Sequence, residues 1–222
     1  MVRNEKPGIY RKAVNLIKRL DQQTGNRIGD LARALTNVNT KKYWDRYLNS
    51  RGDFWRDFPY QFLLEELPHK ESFALSDIGC ALGDGCRMLK KSFPQAEITG
   101  ADLSEAGIQK ARSKSSDIEY FVFNLYKQEV PKKYDYITLI HILEHFDDPY
   151  PIIDKCLKAV NRAVYISTPY GGEFDNPRLY WKGEHRYLFN EHTFAKYHAQ
   201  VLKITDRIEA VGTKHILYKI VP

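Results

Sequence analysis

The stretch HILEH sets His141, Glu144 and His145 within one short segment, and GEHRYLF brings a further histidine, His185. Imidazole titrates near neutral pH, so a histidine can take the proton of an attacking hydroxyl while a neighbouring carboxylate orients the ring. Carboxylate and imidazole at this spacing are also plausible ligands of a divalent ion, though not diagnostic of one. Read alone, H-x-x-E-H matches the inverted zinc-protease signature, which needs both histidines on one sustained helix. Here YDYITLI precedes the motif with strand character and Pro149 closely follows it, so that context is absent. The plainer alternative is local: Glu144 bonding its own turn and His185 tying a loop to the domain.

A second constellation lies upstream. SDIGCALGDG, residues 76 to 85, sets three glycines and two aspartates after the apolar Phe73-Ala74-Leu75. Glycines between a strand and a helix let backbone N–H groups approach a nucleotide-like ligand, and an acid about 20 residues on accepts from ribose hydroxyls. Asp102 in ITGADLS is that acid. No G-K-[ST] follows the glycines, which excludes a triphosphate loop. Dinucleotide and S-adenosylmethionine sites both remain. Each residue also has a structural alternative: Asp77 satisfying turn amides, Asn124 capping the next segment, Gly83 or Gly85 packing a helix.

These groups require a scaffold, and from residue 72 the sequence alternates strand and helix as a parallel sheet covered on both faces does. The pattern predicts strands near 73–79, 97–102, 118–123, 134–140 and 163–168, and helices over 85–93, 104–115 and 150–160. Ser104 and Glu105 suit a helix start, and Pro149 and Pro151 a first turn. Residues 169–189, rich in Gly, Pro and aromatics, form a connection long enough to serve a site. A helix near 191–199 and a closing hairpin of strands near 202–210 and 214–221 complete the chain.

At the other end, Ile9, Ala13, Leu16, Ile17 and Leu20 recur at helical spacing, and Ile28, Leu31 and Leu35 suggest a second short helix. Residues 1–42 carry ten Lys or Arg against three acids, a net of +7 in a chain whose total is +6. The remainder sums to about −1, so the basicity belongs to this arm. It reads as a cap on the domain, with a nucleic acid, a membrane surface or a phosphorylated substrate as the other partners such a face fits. The aromatic segment that follows, with Tyr43, Trp44, Tyr47, Phe54, Trp55, Phe58 and Tyr60, reads as a hinge over the core or a pocket wall. The division expected is an N-terminal basic helical cap over 1–65 and a cofactor-binding domain over 66–222. Cys80, Cys86 and Cys156 form no C-x-x-C pair and no even set, and no run is apolar enough to span a membrane. Free thiols and a cytoplasmic protein are expected.

In chain order, DIGCALGDG, ADLS and YDYITLIHILEHFDDP resemble the class I S-adenosylmethionine-dependent methyltransferases, in particular the group that methylates small molecules. The resemblance spans roughly residues 43–200 and implies a Rossmann-like, doubly wound α/β fold, a seven-stranded sheet with its last strand antiparallel. It implies S-adenosylmethionine as cofactor. Asp77, Gly79, Cys80, Ala81 and Gly83 would line its methionine and ribose side, Asp102 would take the ribose hydroxyls and Leu103 would pack on adenine. Asn124 would sit near the adenine amino group and Ile140 at the end of the fourth strand beside the site. The sequence departs from the pattern in Ala81, where a glycine is usual, and in Asn124, where aspartate is frequent. Metal-using members carry E-x-x-E-H at this place, some with a later histidine, so the resemblance makes His141, Glu144, His145 and His185 the candidate ligands of Mg²⁺ or Mn²⁺, with His141 standing where those members have Glu. The expected chemistry is methylation of an oxygen on a small hydroxylated acceptor, a sugar or other polar metabolite, with His145 as catalytic group and His141 and His185 beside it. RNA 2′-O-methylation and a cofactor-binding regulatory or assembly protein without turnover are the alternatives.

Overall fold

Leu75, Ile98, Ala101, Ile137, Leu139 and Val164 are at most 3% exposed, as the strands of a sheet covered on both faces must be. The computed structural model describes residues 38–51, 58–171, 184–206 and 214–222. Within them run α1 (Lys41–Asn49), α2 (Phe58–Glu66), β1 (Ala74–Ile78), α3 (Asp84–Ser92), β2 (Glu97–Asp102), α4 (Glu105–Lys114) and β3 (Glu119–Val122). There follow β4 (Tyr134–Ile140), α5 (Tyr150–Ala159), β5 (Val160–Pro169), β6 (Gln200–Ile204) and β7 (His215–Ile220). The seven strands lie in the order β3-β2-β1-β4-β5-β7-β6. β3, β2, β1, β4 and β5 pair in parallel, while β7 runs antiparallel to both β5 and β6. The chain is therefore a Rossmann-like α/β sheet closed by a hairpin, as expected.

Two apolar clusters hold the layers together. Leu75, Leu89, Phe93, Ile98 and Ile108 belong to one, Ile137, Leu139, Ile153, Phe189 and Tyr218 to the other. Helix starts follow the local chemistry. Ser104 accepts from Gly107 N–H at 3.0 Å and caps α4, and Pro149 precedes α5 with Pro151 in its first turn.

The helix expected near 191–199 is instead a set of turns with one 3₁₀ turn at Ala195–Tyr197. Asn190 Oδ1 accepts from His192 N–H at 3.0 Å, and His198 adopts φ +51, which ends the turn. Local side-chain bonding has displaced the helical ladder. The helices expected in residues 1–37, Phe54 and Trp55, and residues 172–183 of the long connection lie outside the described residues. The three cysteines are free and buried, and among the described residues no helix is long and apolar enough to cross a membrane.

Candidate active site

The turn after β1 folds under three positive φ angles: Gly79 at +88, Ala81 at +49 and Gly83 at +74. Gly79 and Cys80 donate N–H to Ala101 O at 2.6 and 3.1 Å, holding the turn against the end of β2. Asp102 completes the link: its Oδ2 accepts from Ala81 N–H at 2.9 Å and its Oδ1 from Ser104 N–H at 2.8 Å. The carboxylate is only 9% exposed. Burial pushes its pKa up to about 6, against the pull of those two backbone bonds, with Asp77 and Asp45 adding repulsion.

The remaining residues of the expected cofactor set divide. Asp77 is fully buried and accepts from Thr138 Oγ1 at 2.7 Å and Tyr60 O–H at 2.9 Å, so it fastens β4 and α2 to β1. Burial pushes its carboxyl up, and these bonds with that of Cys86 pull it back. Cys80 is buried, and Gly83 is packed by Tyr120, whose hydroxyl would lie 2.6 Å from a β-carbon there. Gly85 is covered by Tyr60 in the same way. Ile140 lines a small apolar cavity beneath α2 with Leu63, Tyr165 and Leu217, away from the turn. Asn124 Oδ1 accepts from Tyr126 and Lys127 N–H at 3.1 and 3.2 Å, so the amide oxygen expected near adenine is engaged in closing its own turn. Gly79, Ala81, Asp102 and the half-buried Leu103 remain at the carboxyl ends of β1 and β2. That set fits an adenosyl cofactor. Each Asp102 oxygen keeps a second lone pair beyond its backbone bond, and the absent β-carbon of Gly79 lets the end of β4 pack against the turn.

The histidine cluster stands beside this turn. β4 ends at Ile140, His141 takes φ +56, and a 3₁₀ turn spans Leu143–His145. Ile142 seats its side chain over Gly79, where a β-carbon would lie 1.9 Å from Ile142 Cδ1. Glu144 is 2% exposed, with Oε1 3.3 Å from His141 Nδ1. Glu144, His145 and His185 present ligand atoms all within 4.8 Å of one another; His141 does not belong to that group. Three of the four expected metal ligands thus converge, and the fourth faces Glu144 from another side. Burial works against the charge of Glu144, but the His141 bond and the potentials of His145, His141 and His185 outweigh it and hold the carboxyl at about 2.

The second lip of the site was not legible beforehand. His145 Nδ1 lies 3.1 Å from Glu184 O, and its ring meets Trp44 edge-on at 4.9 Å and His185 at 5.4 Å. Asn39 donates through Nδ2 to His145 O at 3.1 Å and Glu184 O at 2.8 Å, and the Tyr43 hydroxyl donates to the Glu184 carboxylate. On its other side α1 rests on α4. Asp45 accepts from Ser104 Oγ at 2.8 Å and Ala106 N–H at 3.2 Å, and Leu48 lies against Gly107. Lys110 donates to the carbonyls of Leu48, Asn49 and Arg51 at the end of α1. The aromatic density around residue 44 was the one available signal for this roof. Its polar anchors, Asn39 and Glu184, carry no motif.

Residues 76–163 match the family model described as a methyltransferase domain. The chain is 28% identical over 109 residues to a demethylmenaquinone methyltransferase of Thermotoga maritima, a match covering 49% of this chain and 46% of that protein. It is 33% identical over 103 residues to a ubiquinone biosynthesis O-methyltransferase of Proteus mirabilis, covering 41% and 40%. The chain therefore spans less than half the length of these curated relatives. Its fold is similar to that of the N-methyltransferase NodS from Bradyrhizobium japonicum, solved with S-adenosyl-L-homocysteine. The TM-score is 0.61 at 17% identity, over 82% of this chain and 97% of that one.

Proposed function

We propose that this chain, whose residues 76–163 match the model of a methyltransferase domain, is a class I S-adenosylmethionine-dependent methyltransferase that transfers a methyl group to an oxygen of a small hydroxylated acceptor. One observation carries the reading. Ile142, between His141 and Glu144, lies across Gly79, so the proton-accepting groups adjoin the glycine turn that fits the cofactor. Ligands of open α/β sheets bind outside the carboxyl ends of the strands, which is where both groups stand. The relatives' names, one of them an O-methyltransferase, support a small-molecule acceptor.

Bound S-adenosylmethionine supplies a methyl on positively charged sulfur, open to in-line displacement by an oxygen nucleophile. The chain's share is alignment, exclusion of water and acceptance of the hydroxyl proton. Asp102 would accept from the ribose hydroxyls and Leu103 would pack on adenine. His145 would take the proton, its ring fixed by Glu184 O through Nδ1 and by the edge of Trp44. The buried charge of Glu144 would stabilise the imidazolium that results. Glu144, His145 and His185 would alternatively hold Mg²⁺ or Mn²⁺, which would polarise the acceptor hydroxyl. The cap over residues 1–65, described in part as α1 and most of α2, would close the acceptor side through α1.

A second reading takes an RNA 2′-hydroxyl as acceptor, favoured by the +7 charge of residues 1–42. Screening sugars, phenols and RNA for release of S-adenosylhomocysteine tests all three possibilities. Release with a small hydroxylated compound is expected. Release with RNA alone, steeply suppressed by salt, would favour the second reading. Tight cofactor binding with no release for any acceptor would instead indicate a cofactor-binding protein without turnover.

A further inference from the structure

His141 occupies backbone territory that a histidine does not favour. Its φ of +56 is shared, among the described non-glycine residues, only by Ala81 and His198 in sign. Such conformations cost of order 1–3 kcal/mol and persist where the surroundings over-determine them. Three contacts do so here. His141 N–H donates to Ser167 O at 2.8 Å, Nδ1 lies 3.3 Å from Glu144 Oε1, and the ring meets that of His215 at 4.6 Å and 73°.

His215 opens β7, far along the chain, and is 1% exposed. Its backbone is fixed in both directions: its N–H donates to Thr205 Oγ1 at 2.9 Å, and its carbonyl accepts from Thr205 N–H at 2.9 Å. It is therefore a stationary surface against which the His141 ring rests. An edge-to-face contact between rings is worth about 0.5–1.5 kcal/mol and is directional, so it selects one ring orientation. With Nδ1 turned to a carboxylate, the proton of a neutral imidazole belongs on Nδ1, and Nε2 becomes an acceptor. Both ring nitrogens of His141 are buried, and among the described residues neither completes a hydrogen bond: Nδ1 has the 3.3 Å approach to Glu144 Oε1, whereas Nε2 has no polar partner. A buried acceptor of that kind is costly unless a ligand group meets it.

We propose that His215 is a positioning residue, which holds the His141 ring so that Nδ1 faces Glu144 and Nε2 is offered to a hydroxyl of the acceptor. This rests on the methyltransferase reading for the identity of the acceptor, but not for the orientation of the ring. The relationship adds a fourth strand, β7, to a site otherwise built from the ends of β1, β2 and β4.

Two-bond ¹H–¹⁵N spectra of the full chain with labelled histidine, His141 assigned through His141→Gln, test the orientation at pH 8. The Nδ1–H tautomer of His141 is expected in the native protein and in His215→Phe, which keeps a ring edge. In His215→Leu the ratio of Nδ1–H to Nε2–H forms should fall by roughly 2- to 10-fold. His215→Gln offers the same comparison should the leucine variant not fold. An Nε2–H tautomer in the native protein, or an unchanged ratio in the non-aromatic variants, would overturn the proposal. Calorimetry with S-adenosylmethionine separates the two levels: a native protein that fails to bind it removes the methyltransferase reading and leaves the tautomer result standing.

Discussion

Ile142 closes over Gly79, its Cδ1 only 1.9 Å from where a β-carbon on residue 79 would stand. The glycine turn and the end of β4 are thus a single packed unit, and the identity of residue 79 is dictated twice, by φ +88 and by that contact. Gly79→Ala should cost roughly 1–2 kcal/mol for the left-handed backbone alone and a further 1–3 kcal/mol for overpacking. Urea unfolding measures it. In a double-mutant cycle with Ile142→Ala the overpacking share should appear as a coupling of about 1–3 kcal/mol and the backbone share should not; additive costs would show that the two side chains do not meet.

Ala81 presents the opposite case, a β-carbon held at φ +49 where the family pattern has glycine. Ala81→Gly should relieve about 1–2 kcal/mol of left-handed strain while giving back roughly 0.4–1 kcal/mol through the freer unfolded chain. A net gain of up to about 1.6 kcal/mol in chemical unfolding is expected, with the bond from residue 81 N–H to Asp102 retained. A clear loss of stability would mean that the Ala81 methyl makes contacts worth more than the strain.

Asp102 gives the protein a pH signature. Its folded pKa of about 6 lies above the unfolded carboxylate value, so between roughly pH 4 and 6 the folded state binds more protons. Stability from this group is therefore present below about pH 4 and lost as pH rises through 6, by up to about 3 kcal/mol. Glu144, held at about 2, acts oppositely: its contribution is present above about pH 4.5 and lost as pH falls toward 2. Unfolding of cofactor-free protein across pH 3 to 8 should show a shallower fall above pH 4 in Asp102→Asn. Identical slopes in the variant and the native protein would remove Asp102 as the source.

His145→Ala should lower turnover by roughly 10²-fold with cofactor binding nearly unchanged, if His145 takes the proton. A metal role predicts differently: chelation should abolish activity and added Mg²⁺ or Mn²⁺ restore it. Full activity after chelation would eliminate the ion, and full activity of both His145→Ala and His185→Ala would leave alignment of the acceptor as the source of catalysis.

The sheet was readable because its strands carry apolar residues with the right punctuation: Phe73 to Leu75 before the glycine turn, Ile137, Leu139 and Ile140 before HILEH. Short-range capping was equally plain at Ser104. At Asn124 the sequence offered both a turn cap and a cofactor contact, and the structure supplies the cap, with the side-chain oxygen accepting from Tyr126 and Lys127 N–H. The segment TFAKYHAQ has helical composition, but Asn190 and the left-handed His198 hold it in turns. The partners of His145 and His141 were unreadable for a simpler reason. Asn39, Glu184 and His215 reach them across long stretches of chain, through bonds that depend on where the sheet brings its ends.

The helix α1 is held on two sides, by Asp45 on Ser104 and Ala106 and by Tyr43, with Asn39 just before the helix, on Glu184. Ser104 is two residues from Asp102, and Glu184 holds His145. The helix is in effect a crossbar between the two halves of the cleft. A ligand that displaces one half does work on the other through it, and such work is symmetrical between ligands. Whatever factor a bound cofactor contributes to acceptor affinity, the acceptor must return to the cofactor, and severing the crossbar at Asn39 should shrink both factors together.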